Sequence, residues 1–86
     1  MNANTPDAEP AYTATQGRYL AFIYYYTKLH GVPPAEADMQ RYFKVSPPSV
    51  HSMIVVLEKR QLIARTPGAS RSIQLLLGRD QLPDLE

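Results

Sequence analysis

Eighty-six residues with no cysteine, and nine Lys and Arg against eight Asp and Glu, fit one small domain and exclude disulfide, zinc-knuckle and thiol chemistry. The patterned part, about residues 12–77, is near the lower size limit for a self-standing core and would bury roughly 60% of its unfolded surface, which suits a binding module better than a deep enzyme cleft. No apolar run approaches the ~20 residues of a membrane span and nothing resembles a signal peptide, so a cytoplasmic protein without a membrane partner is expected.

Charge is unevenly distributed. Residues 13–77 carry Arg18, Lys28, Arg41, Lys44, Lys59, Arg60, Arg65 and Arg71 against Glu36, Asp38 and Glu58, a balance of +5, whereas the segments on either side are each acidic. A basic core between acidic ends is the asymmetry of a nucleic-acid binder.

Residues 1–11 have two prolines and no apolar periodicity, and are expected to be a disordered tail. The first helix starts near Thr13, where Thr13-Ala14-Thr15-Gln16 fits a capping box, and stops at Gly31 with Pro33 just beyond. Leu20, Ile23, Tyr24 and Thr27 form its buried stripe, flanked by Tyr19 and Tyr26. Phe22, Tyr25 and Leu29 form a second row that points away from the first. Either a terminal tail with Leu82 and Leu85 covers that row, or it pairs two copies in a weak homodimer.

A second helix is predicted over 36–43, with Ala37, Met39, Tyr42 and Phe43 apolar, Asp38 favouring the helix dipole, and Ala35 as an N-cap without a capping side chain. Lys44-Val45 makes a tight turn. Ser46 caps a third helix, 47–60, whose first residue is Pro47. Val50, Ile54 and Leu57, with Met53 beside them, face the core. Pro48, Ser49, Ser52, Val55 and Lys59 face outward, and their mostly small or polar side chains would let a helix backbone come close to base edges.

Residues 62–65 and 72–76 are predicted strands joined by Thr66-Pro67-Gly68-Ala69, a type II turn signal. The fold class is therefore mainly α with a small β-hairpin: a winged helix-turn-helix of three helices and a two-stranded wing. Residues 78–86 are expected to be a flexible tail.

Thr13-Ala14 with Gln16, Gly31-x-Pro33-Pro34, Ser46-Pro47, the exit from Leu57 to Ile63, and Gly68-Ala69-Ser70-Arg71 followed by Ile73 and Leu75 make residues 12–76 resemble the DNA-binding domain of the LexA repressor family. The resemblance implies a bacterial-type regulator, a repressor, that binds specific double-stranded DNA. By position, Ser46, Pro48, Ser49, His51 and Ser52 match the family's base-contacting segment, and the wing from Gly68 to Arg71 matches the part that approaches the minor groove and backbone. Members of that family carry a second, self-cleaving serine–lysine protease domain that also holds the main dimer contact. These 86 residues contain neither, so self-cleavage is not expected of this polypeptide. The segment also departs from the family pattern: Pro48 stands where an amide is usual, and His51 and Ser52 stand where acids are usual.

His30 at a helix C-terminus fits a structural role as imidazolium. His51 is either an exposed helix residue or a phosphate or base contact, and it has no second ligand at metal-binding spacing. Lys59 is part of a solvated helix end or a phosphate contact. No Ser/His/acid set and no phosphate loop is present, so no catalytic, metal, cofactor or small-molecule site is expected. Lys44, Arg65, Ser70 and Arg71 are the expected backbone contacts, with Arg71 the foremost of them, and the third helix is the expected base reader. The alternative from another class is a protein–protein module that uses the apolar first-helix face.

Overall fold

The computed structural model describes residues 12–84. The segment expected to be disordered, 1–11, and Leu85 lie outside the described residues. Three helices come first, α1 (Ala14–His30), α2 (Glu36–Phe43) and α3 (Pro47–Lys59), then strands β1 (Ile63–Ala64) and β2 (Gln74–Leu75) and a short 3₁₀ turn (Arg79–Gln81).

The helix boundaries follow from their caps. Gln16 N–H donates to Thr13 Oγ1 at 3.1 Å and Thr13 N–H to Gln16 Oε1 at 2.9 Å, closing the reciprocal box. Gly31 adopts φ +78° and returns its N–H to the Thr27 carbonyl, a left-handed stop that suits glycine. Ala35 cannot cap by its side chain, but its N–H donates 2.8 Å to Asp38 Oδ2, so half of a capping box survives. Lys44 takes a left-handed φ of 57° and reverses the chain between α2 and α3 within three residues. Ser46 Oγ then accepts from Ser49 N–H, and Pro47 and Pro48 occupy the first turn, where a missing N–H does no harm.

Leu20 and Ile23 from α1, Met39 from α2, and Val50, Ile54 and Leu57 from α3 pack with Leu62, Ile63 and Ile73 into one core. The strands pair antiparallel with Ile63 opposite Leu75 and Ala64 opposite Gln74. They are shorter than the predicted 62–65 and 72–76. Beyond the ladder, Ser72 Oγ takes over: it accepts from Thr66 N–H and contacts the Thr66 and Ala69 carbonyls, closing the wing loop by side chain.

Two expectations for α1 change. Phe22 is buried, because Tyr42 and Phe43 at the end of α2 fold over it with ring centroids 4.6 and 5.6 Å away, and Phe43 also stacks on Tyr19. Tyr25 is half-buried beneath Arg79, whose guanidinium also lies over Tyr24. Of the expected row only Leu29, 80% exposed, faces solvent fully.

The segment from Gly78, expected as a flexible tail, is packed as far as it is described. Leu82 is buried with the core, Tyr12 Oη donates to the Gln81 carbonyl, and Pro83 lies against Gly17. No helix among the described residues is long and apolar enough to cross a membrane.

Candidate nucleic-acid interface

The face of α3 opposite the core is built by the i, i+3, i+7 row of Ser49, Ser52 and Val56, with Pro48 and Lys59 beside it, all exposed. Val55, expected on this face, is half-buried, and Val56 takes its place. Ser46 Oγ and Ser49 Oγ are 2.9 Å apart, so the hydroxyls that open the helix are linked to one another. A shallow groove runs along this face between α3 and the start of α1. Nothing bulkier than Met53 lines the α3 side of that groove, which leaves the backbone of the helix approachable.

His51 occupies the flank of α3 that faces α2. Its Nδ1 lies 3.4 Å from Glu36 Oε2, in the first turn of α2. The same carboxylate oxygen lies 3.7 Å from Arg65 Nη1, and Arg65 Nε donates 3.1 Å to Glu58 Oε1 on α3. Glu36 and Glu58 therefore hold Arg65, 25% exposed, between the second helix, the third helix and the first strand of the wing. Arg65, expected at a phosphate, is held by two carboxylates within the domain.

The wing tip turns at Gly68, φ +78°, with Ala69 N–H donating to the Thr66 carbonyl at 3.1 Å, as the Pro-Gly signal predicts. Gly68 and Ser70 are exposed. Arg71, also expected at a phosphate, likewise has partners within the domain. It takes a left-handed φ of 55°, and its Nη1 contacts Asp38 Oδ2 at 3.1 Å, Tyr26 Oη at 3.1 Å and the Pro33 carbonyl at 3.3 Å. A cation placed at the wing for a phosphate is thus held against α1 and the loop before α2.

Asp38 is the centre of that arrangement, its side chain only 9% exposed. Burial pushes its carboxyl upward in pKa. The Ala35 N–H, the Arg71 and Arg41 guanidiniums and Tyr26 outweigh burial, and the net shift is downward, so the carboxylate stays charged. Arg41 closes the set from one turn along α2, 2.5 Å from Oδ1. In the sequence Asp38 shows only as a helix-dipole residue. Its spacing of three from Ala35 is the one local signal for the cap, whereas the Arg71 contact spans 33 residues and leaves no local trace.

Among the described residues, Lys44 and Lys59 are exposed and no carboxylate lies within ion-pair distance of either. Lys44 sits in the turn before α3 and Lys59 at its end. Cations therefore flank the small-residue face of α3 at both ends.

Three helices with a short turn between the last two, followed by a hairpin, define a winged helix-turn-helix. The sequence model of the family described as LexA DNA binding domain matches residues 10–72, and the chain belongs to that family. It is similar to a LexA repressor of Thermosipho melanesiensis and to a LexA repressor of Thermosipho africanus. Each is 38% identical over 64 residues, covering 74% of this chain and 32% of the relative. The chain thus spans about a third of the length of the curated relatives it matches.

Proposed function

We propose that this chain is a sequence-specific double-stranded-DNA-binding domain of a transcriptional repressor, working in the cytoplasm at the chromosome, and a binding module rather than an enzyme. The observation that carries the reading is the outward face of α3, small and polar along Ser49 and Ser52 and bounded by the exposed cations Lys44 and Lys59. In this reading α3 enters the major groove. Ser46, Ser49, Ser52 and His51 meet base edges or the waters on them, and Pro48 and Val56 offer apolar surface to thymine methyls. Lys44, Lys59, Ser70 and the Gly68 backbone meet phosphates, and the wing lies along the minor groove. Arg65 and Arg71 act chiefly by setting where the wing stands. With hydroxyls and a proline in place of amide and acidic side chains, DNA shape and water carry much of the discrimination.

A homodimer through Phe22, Tyr25 and Leu29 loses its anchor when Phe22 is buried, and so does a protein-docking face on α1. We infer that the domain meets each half-site as a single copy and that any two-fold pairing uses other surface. Enriching random duplexes on the purified protein tests the function. A recovered motif, with affinity that falls steeply as salt rises, is the expected result. Recovery of no motif, with binding insensitive to salt, would rule the reading out.

A further inference from the structure

Gln16 closes the first turn of α1 with one end of its amide only. The Thr13 N–H can only donate, so the Gln16 atom 2.9 Å from it is the carbonyl oxygen Oε1. That contact fixes the orientation of the amide and turns its NH₂ group elsewhere. Gln16 is 8% exposed, and among the described residues no acceptor meets its Nε2. A buried amide donor without an acceptor among the described residues calls for one beyond them. The side chain lines the groove beside α3, together with Pro48, Ser49, Ser52, Met53 and Val56, and none of these is acidic. In the same turn the N–H groups of Ala14 and Thr15 have no intrahelical acceptor, and the positive end of the α1 dipole lies there.

We propose that Gln16 donates through Nε2 to a phosphate oxygen of the DNA strand bordering the major groove that α3 occupies. The inference rests on the reading of α3 as the DNA-facing helix. A phosphate fits because the group on offer is a donor, the helix end favours an anion, and no carboxylate lines the groove. The position is at the margin of the reading face, where a contact sets register without carrying sequence information. Because the same side chain caps α1, its donor is already immobilised before DNA arrives, and little rotamer entropy is lost on binding.

The variant Gln16→Glu separates the two roles. Glutamate is an ordinary partner of a Thr N-cap, keeps an acceptor for Thr13 N–H, and suits a helix N-terminus, so the thermal midpoint should hold or rise. Its second carboxylate oxygen would face the phosphate in place of a donor. Affinity for every duplex should fall by roughly ten- to a hundredfold, the loss of a hydrogen bond to a charged group, with the preferred sequence unchanged. Independently of any variant, the Gln16 side-chain amide resonances of the wild-type chain should shift on saturation with selected duplex. Wild-type affinity in Gln16→Glu, a changed consensus in place of a uniform loss, or amide resonances that stay where they are would overturn this inference and leave duplex recognition standing. Failure of the wild-type chain to bind any duplex would instead overturn the functional reading on which it rests.

Discussion

At Arg71 one guanidinium nitrogen is shared between the Asp38 carboxylate, the Tyr26 hydroxyl and the Pro33 carbonyl, groups from three separate parts of the chain. A side chain in that position ties the wing to α1, the loop after it and α2. Arg71→Ala should therefore lower the thermal midpoint, because Asp38 loses a partner inside the fold, and should weaken binding to all duplexes. The slope of log affinity against log salt distinguishes this from loss of a phosphate contact. It should change by well under one unit, whereas removing a phosphate contact would shrink it by about 0.9. Arg65 follows the same logic through Glu36 and Glu58. Neither arrangement was legible from residue types, because the Glu36, Asp38 and Glu58 partners are brought in by packing. The wing cations alone, seen in sequence, point to phosphate.

Among the elements, the helices were legible because their ends carry chemistry: Thr13 with Gln16, Gly31, and Ser46 with Pro47 each mark a terminus within one residue. The strands were overextended in sequence reading because Ser72 spends its hydroxyl on the loop and ends the ladder early, a tertiary choice with no periodic signal. The end of α3 falls within one residue of the expected 60, but the device that stops it shows in no residue type. Gln61 holds a left-handed φ of 62°, with its N–H on the Glu58 carbonyl and the Leu62 N–H on the Leu57 carbonyl. This is a Schellman stop, which usually shows itself by glycine. The left-handed conformation strains any residue with a Cβ, and glycine would relieve that strain at some cost in unfolded-chain entropy. Gln61→Gly should raise stability by about 0.5–1 kcal/mol, read by urea denaturation with an unchanged m-value. A destabilised variant would mean that the Gln61 side chain contributes more than its backbone strain removes.

For the whole molecule, the fold class and the position of α3 were both visible in the sequence, while the surface of α1 was not. Helical spacing put Phe22 on an outer row with Tyr25 and Leu29, and only the packing of Tyr42 and Phe43 over α1 brings it inside. Phe22→Glu should then cost more than about 3 kcal/mol, by removing a core aromatic and burying a charge, with no shift from monomer in sedimentation of either protein. Dissociation of a wild-type dimer by this substitution, with the fold intact, would restore the α1 contact. In the proposed function the Ser49, Ser52 and Val56 face of α3 reads duplex DNA. Selection from random duplexes with the wild-type chain and with Ser52→Arg tests it most directly. An arginine at that position should meet base edges and change the recovered motif, favouring guanine at one position, while affinity for unselected duplex changes little or rises with the added charge. Recovery of the same motif by both proteins would contradict the assignment of this face to the bases.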